Sequence, residues 1–388
     1  MKRILILPLF KMESGHHRSA NALAEAFQKH DPEIQCEKVD FLSYVNGGLE
    51  KLVSNLYLTW IKKFPRAYSS FYHLFFSKKS SMIQSAYEAV FLEKMEQLIE
   101  VKQPDLIVCT HSFPSFLVDK LKRYGVCDVP VLNLYTDFFI NGLWGKEQVD
   151  LHCVPSKDVK NELLQMGISE NKVIVSGILA NDRFNRRKMN RQHDEKIHVI
   201  LSGGSLGLGK NFSSLIKTSN SGLVEYKVLC GSNRALLEKV NSLNSSHITA
   251  LPYIASSEQM NQLYSWADAI VTKPGGATIS EAIRKKLLIF IHSVLPGQEE
   301  INLEYLSDRG LAETVDVRRS FEDQLLSVVS DSSKLFAINK ARHQYMNELD
   351  VRSCAELASL IDRKLFAGKK TPKEKYLNDL FSKLYRSL

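Results

Sequence analysis

The sequence predicts an α/β protein of two doubly wound domains facing each other across a cleft, on three observations. Its 388 residues exceed the roughly 250–300 at which a single core stops growing. Short apolar runs alternate with helix-length amphipathic stretches, the pattern of a parallel sheet covered by helices. A polar, basic stretch without apolar period, residues 181–195, splits the strand candidates into two sets and reads as a linker. The predicted boundaries are 1–180, 181–195, 196–345, and 346–388 for C-terminal helices ending in a basic amphipathic tail.

In the first domain the predicted strands are Ile4–Leu9, Ile34–Val39, Leu106–Cys109, Val131–Leu134, Leu151–Val154 and Val173–Ser176. Lys2-Arg3 followed by an apolar run has the charge order of a signal peptide. That run is short, contains Pro8 and leads to no small-residue cleavage site, so a buried first strand is expected. In the second domain the predicted strands are His198–Leu201, Lys227–Cys230, Ile248–Ala250, Ala269–Val271 and Leu288–Ile291. Two segments break this rhythm. Residues 49–76 are rich in aromatics among basic residues, including Trp60, Lys62, Lys63 and Phe64, a composition that suits a membrane interface or a helical hairpin packed on its own domain. In residues 369–388, Tyr376, Leu377, Leu380, Phe381, Leu384 and Leu388 form one helical stripe with lysines and Arg386 elsewhere; it reads as a docking helix or as a membrane contact.

The densest chemical signal is Thr272-Lys273-Pro274-Gly275-Gly276-Ala277-Thr278-Ile279-Ser280-Glu281, followed by Leu295-Pro296-Gly297-Gln298-Glu299-Glu300-Ile301-Asn302. A Gly turn between a strand end and a helix start offers unpaired N–H groups and the helix dipole to an anion such as a diphosphate. Glu281 on the early helix would repel phosphate and is better placed for ribose hydroxyls. The polar loop after the next strand, with Gln298 and Glu299, is suited to reading sugar hydroxyls. Together these point to a nucleotide-sugar site.

Other strand ends add polar positions. Ligands of open α/β sheets bind beyond the carboxyl ends of the strands. Ser14-Gly15-His16-His17-Arg18, Thr110-His111-Ser112 and Thr136-Asp137 occupy such ends in the first domain. A His and a carboxylate converging there would deprotonate an acceptor hydroxyl, since imidazole titrates near neutrality. In the second domain Ser202-Gly203-Gly204-Ser205 makes another candidate anion cradle, and Gly231, Asn233 and Tyr253 follow strands that would hold a base or ribose.

Composition excludes several classes. No apolar segment approaches the roughly 20 residues that span a bilayer, so membrane contact is expected to be peripheral. The six cysteines are scattered, with no CxxC pair and no Cys/His cluster, which supports a reduced, cytoplasmic setting without a zinc site or disulfide framework. The formal net charge of +8 favours anionic ligands or surfaces, yet no nucleic-acid-binding motif accompanies it.

The motifs TKPGGATISE and PGQEEIN, with SGHHRSA near the N-terminus and YTDF between, resemble the monogalactosyldiacylglycerol synthase and processive diacylglycerol glucosyltransferase family. The resemblance runs from about Lys2 to about Leu360. It implies the GT-B fold, with two Rossmann-like domains, acceptor in the first and UDP-sugar in the second, C-terminal helices and no required metal or other cofactor. By position, His16 matches the family's acceptor-loop His, with Gly15 beside it, and Asp137 the TD of the first domain. Gly203 and Gly204 match its diphosphate turn, Lys273, Gly275, Gly276, Thr278 and Glu281 its donor signature, and Gln298 and Glu299 the residues facing the sugar. The aromatic segment after Leu49 corresponds to the part such enzymes use against the membrane. Where the family carries glycines before the loop His, Glu13 and Ser14 stand here, and Lys11 replaces the Asp of plant-type members, so a carboxylate base from this loop would have to be Glu13. Gly177-Ile178-Leu179 lacks the proline of the family's GIP turn.

The resemblance implies an inverting hexosyltransferase at the cytoplasmic membrane surface. It would move a hexose, glucose before others, from a UDP-sugar to diacylglycerol or its glycosylated form. His16, Asp137 and Glu13 are the catalytic candidates; His111, with Gly15 and the aromatic-basic segment, lies on the acceptor side. The partners expected are the UDP-sugar, a lipid acceptor and an anionic membrane, and no nucleic acid. A soluble GT-B enzyme, such as a UDP-sugar epimerase or a transferase with a non-lipid acceptor, and a non-catalytic UDP-sugar sensor are the alternatives.

Overall fold

Parallel strands in two sheets carry the chain's apolar runs. A computed structural model describes residues 2–9, 14–46, 81–185, 196–203 and 221–366, with the backbone only for 81–90. The first sheet comprises β1 (Arg3–Leu7), β2 (Gln35–Lys38), β3 (Leu106–Cys109), β4 (Val131–Leu134), β5 (Leu151–Val154) and β6 (Val173–Val175), ordered β2-β1-β3-β4-β5-β6. The second comprises β7 (Ile197–Ser202), β8 (Val224–Leu229), β9 (Ile248–Leu251), β10 (Ala269–Thr272), β11 (Leu288–Ile291) and β12 (Glu313–Thr314), ordered β12-β11-β10-β7-β8-β9. Both are parallel throughout. Each predicted strand forms, with ends shifted by up to three residues, and the GT-B architecture of two Rossmann-like domains is what the chain adopts.

Each sheet reverses its winding once, between β1 and β3 in the first and between β7 and β10 in the second. Crevices form at such switch points. Helix α1 (Gly15–His30) follows β1 and lays Leu23 and Phe27 on Ile4, Ile6, Leu106 and Val108. The opposite face, Leu5, Leu7 and Ile107, packs against Phe41, Met95, Leu98 and Leu117, contributed by α2 (Phe41–Val45), α3 (Ser81–Lys102) and α4 (Ser112–Arg123). Helix α5 (Lys157–Gln165) links β5 to β6. The second domain adds α6 (Arg234–Asn241), α7 (Ser257–Trp266), α8 (Gly276–Arg284), α9 (Gln298–Asp308), α10 (Phe321–Val329) and α11 (Ser332–Asn347).

The chain then returns to the first domain. Asp350 exchanges hydrogen bonds with Val175, accepting from its N–H through Oδ2 at 2.7 Å and donating its own N–H to the carbonyl at 2.7 Å. Helix α12 (Cys354–Ile361) buries Leu357 and Ile361 against α1. Its first N–H groups are capped by Asp182, whose oxygens accept from Cys354 N at 2.7 Å and Ala355 N at 3.0 Å. The start of the predicted linker is therefore structured: Asp182–Asn185 is a 3-10 turn with Phe184 buried. Residues 186–195 and 369–388, and the aromatic residues 49–76, lie outside the described residues. All six cysteines are free thiols, five of them buried. Among the described residues no helix is long and apolar enough to cross a membrane.

Candidate active site

His16 stands on the first turn of α1, beside the ends of β3 and β4. Its Nδ1 lies 2.8 Å from the Thr110 carbonyl and 2.7 Å from Thr136 Oγ1. A carbonyl oxygen only accepts, so the proton sits on Nδ1 and the lone pair on Nε2, the tautomer of a base. The His111 ring meets His16 edge-on at 5.0 Å between centroids. His111 caps α4 through Nδ1, accepting from Phe113 N at 3.2 Å, which leaves its proton on Nε2. Burial lowers the His16 pKa while Asp137 opposes the fall; burial and then His16 itself hold His111 well below the ordinary imidazole value. Both rings are neutral at neutral pH.

Asp137, in the loop after β4, is half-buried. Its Oδ1 accepts from Asn302 Nδ2 at 2.9 Å. Burial raises its pKa, and His16 and the Asn302 bond pull it back. The neighbouring motif residues tie the domains together. Phe138 N donates to Asn302 Oδ1 at 2.9 Å, and the Phe138 ring stacks on Tyr305 of α9 at 4.7 Å.

Across the junction, the Lys273–Glu281 motif spans the end of β10 and the start of α8. At Gly276 the domains approach closely: a Cβ there would meet the Thr136 carbonyl oxygen at 2.1 Å and Ile178 Cδ1 at 2.7 Å. Ser280 Oγ donates to the Ile178 carbonyl at 2.5 Å. Gly15 faces Ala277 with room for a Cβ at 3.4 Å. Glu281 is buried; both its oxygens accept from Arg18 of α1, at 3.1 and 2.9 Å, and Oε2 also accepts from Tyr264 at 3.1 Å. Arg18 Nη2 donates to Thr278 Oγ1 at 2.8 Å. Burial raises the Glu281 pKa and Arg18 pulls it down.

Gly297, at φ 87°, turns the chain into α9, which begins at Gln298. Glu299 folds back to accept from Leu295 N at 2.6 Å. Burial raises its pKa, the Leu295 N–H and then Lys273 lower it, and Asp137 raises it. His292, directly after β11, is buried and kept neutral, its pKa lowered to about 4 by burial and then by Lys273.

Of the remaining expected donor residues, Gly203 follows β7 and Gly231 follows β8. Asn233 caps α6, its Oδ1 accepting from Leu236 N at 3.0 Å. Tyr253 is exposed beyond β9. Glu13, Gly204 and Ser205, and Trp60, Lys62, Lys63 and Phe64, lie outside the described residues. The site also contains residues that the motifs did not assign. Arg18, Thr136 and Asn302 sit inside quoted motifs, Tyr264 on α7 carries no motif signal, and His292 is the kind of strand-end position that the crevice rule selects.

A family model described as monogalactosyldiacylglycerol (MGDG) synthase matches residues 16–179. The chain is 37% identical over 372 residues, 93% of its length and 97% of the relative's, to an uncharacterized glycosyltransferase, YkoN, of Bacillus subtilis (strain 168). It is 27% identical over 358 residues, 87% of its length and 90% of the relative's, to the processive diacylglycerol beta-glucosyltransferase of the same organism. In fold it is similar to Acinetobacter baumannii MurG, with a TM-score of 0.59 at 14% identity, covering 94% of this chain and 100% of that one.

Proposed function

The chain belongs to the glycosyltransferase family of the monogalactosyldiacylglycerol synthases and diacylglycerol glucosyltransferases, and from that premise we propose that it is an inverting, UDP-sugar-dependent hexosyltransferase with a lipid acceptor. The donor we favour is UDP-glucose and the acceptor diacylglycerol or its glycosylated form, reached from the cytoplasmic face of an anionic membrane. The relative named as a processive diacylglycerol beta-glucosyltransferase supports the acceptor class and the sugar. The reading is carried by one observation: His16 has Nδ1 anchored on the Thr110 carbonyl, a free lone pair on Nε2, and Asp137 beside it, at the junction of both sheets' switch points.

In this mechanism His16 Nε2 takes the acceptor hydroxyl proton as the oxygen attacks the anomeric carbon from the face opposite the diphosphate. The anomeric C–O bond to phosphate breaks and UDP departs with the electron pair. Asp137 offsets the positive charge growing on His16. Lys273 and the backbone amides of the Gly turns take the negative charge of the leaving diphosphate, a contribution of roughly several kcal/mol in preorganised sites. Gln298 and Glu299 face the sugar, and the contact of the two domains keeps water from competing with the acceptor. No metal is used.

The test is turnover of purified protein with a panel of UDP-hexoses on diacylglycerol-containing anionic vesicles, with products identified by mass spectrometry. A β-linked glycolipid is expected, unchanged in yield by a chelator. His16→Ala should lower turnover by at least about 100-fold while UDP binding persists. Epimerisation of the donor without an acceptor, or UDP binding without turnover of any donor, would overturn the reading.

A further inference from the structure

Arg18 sits on the first turn of α1, in the first domain, yet its guanidinium spends three bonds on the second. Nη1 donates to both oxygens of Glu281 and Nη2 to Thr278 Oγ1. Thr278 and Glu281 are one helical turn apart and share a face of α8. Arg18 covers that face: its side chain is 41% exposed, against 5% for Glu281. The solvent approach to the Glu281 carboxylate therefore runs through Arg18. A ribose diol that bonds Glu281 must move the guanidinium aside.

Removing Arg18 without replacement would leave a buried carboxylate with Tyr264 as its remaining donor, which is costly. A ribose supplies two hydroxyl donors to the same oxygens, so the exchange leaves Glu281 satisfied. The displaced guanidinium needs an anion in turn. Gly15 approaches Ala277, so the first turns of α1 and α8 are neighbours. A diphosphate attached to that ribose would lie along them, within the sweep of a long and partly exposed side chain. Planar guanidinium matches phosphate oxygens two at a time.

We propose that Arg18 is a nucleotide-diphosphate-binding residue held in reserve by Glu281. When donor binds, Glu281 passes from Arg18 to the ribose hydroxyls and Arg18 passes from Glu281 to the diphosphate. Ribose and phosphate recognition are thereby coupled through one side chain, and the cross-domain Arg18–Glu281 pair gives way to a contact bridged by the nucleotide. This rests on the reading of Glu281 as the ribose-binding carboxylate.

Calorimetric titration with uridine and with UDP separates the two halves of the exchange. In Arg18→Ala, uridine no longer competes with the guanidinium and should bind about tenfold more tightly, whereas UDP loses a charge-assisted partner and should bind about tenfold more weakly. The preference for UDP over uridine should thus shrink about 100-fold. Arg18→Lys, which keeps the charge without the planar fork, should fall between and serves if the alanine variant does not fold. An unchanged preference, or equal shifts in one direction for both ligands, would make Arg18 a static pin between domains and overturn the proposal. Wild-type protein that binds neither ligand would remove the UDP-sugar reading as well; wild-type binding with an unaltered preference in the variants would remove this proposal alone.

Discussion

Asn302 holds Asp137 from the opposite domain, donating from Nδ2 to its Oδ1 at 2.9 Å and to the Pro274 carbonyl at 3.1 Å, while Asn302 Oδ1 accepts from Phe138 N at 2.9 Å. One buried amide thus joins the Asp137 carboxylate, its own loop and the turn after β10. Its position is set by α9, whose entry depends on Gly297.

Replacing Asn302 with Leu would orphan the Phe138 N–H and strip Asp137 of its donor. Each unsatisfied buried group costs about 1–3 kcal/mol, so thermal unfolding should shift downward. Turnover should fall further than stability, by about 100-fold, because the loop that sets both Asp137 and Thr136 loosens. Asn302→Asp should be the sharper probe: a second carboxylate facing Asp137 adds negative charge beside the His16–Asp137 pair, which favours protonated His16 and moves the acid limb of the rate profile to higher pH.

In the proposed mechanism the pH dependence of kcat/KM follows from His16. A base must be neutral, so rate is lost as pH falls through the folded-state pKa of His16. That pKa is lowered by burial, which puts the acid limb below the ordinary imidazole value of about 6.5. Asp137 works against the lowering. Asp137→Asn should therefore move the limb to still lower pH while reducing the plateau, because the imidazolium loses its counter-charge. Measured pKa values would belong to the His16–Asp137 pair rather than to either group.

Gly276→Ala tests the contact between domains. The added Cβ would meet the Thr136 carbonyl oxygen at 2.1 Å, a backbone atom that can retreat only by moving the loop carrying Thr136 and Asp137. Overpacking of this kind costs about 1–3 kcal/mol. Turnover should drop by at least about tenfold, accompanied by a larger radius of gyration in solution scattering. Gly15→Ala, facing Ala277 at ordinary contact distance, should be far milder.

Acid stability should carry a signature of His152. The ring is buried on β5, beside the edge strand of the first sheet, its Nδ1 3.1 Å from Tyr135 Oη, and its pKa is lowered to about 4, mainly by burial. The unfolded chain binds this proton from about pH 6.5 downward and the native protein only near its folded-state value. The contribution is complete above about pH 6.5 and is lost as pH falls toward about 4, at roughly 1.4 kcal/mol per pH unit. Urea unfolding at about pH 7 and about pH 5 should show a shallower decline for His152→Gln than for wild type; equal slopes would assign the decline to other groups.

The strands were legible because parallel, doubly covered strands are continuous apolar runs: Leu106–Cys109 and Leu151–Val154 form with the bounds that their composition predicts. Misreadings have equally local causes. β8 starts at Val224 rather than Lys227 because Val-Glu-Tyr-Lys alternates in burial instead of running apolar. β12 is two exposed polar residues, Glu313 and Thr314, which carry no periodic signal at all. Within the candidate site the residues of the motifs were named, but their partners were not. Asn233, expected to hold a base or ribose through its backbone, also caps α6 with its side chain; Glu281, expected to bind ribose, is bonded here to Arg18, 263 residues away in sequence.

Local sequence was enough to read the two-sheet GT-B architecture, the family, and the strand ends that carry the candidate site. Periodicity and turn chemistry act over a few residues and leave a readable trace there. Which of those ends meet is set by long-range packing. That His16 rests on Thr110 and Thr136, that Asn302 grips Asp137, and that Arg18 stands over Glu281 all depend on the relative placement of two domains. That placement arises from packing between surfaces distant in the chain, summed over many small contacts such as Gly276 against Thr136, and no local pattern encodes it.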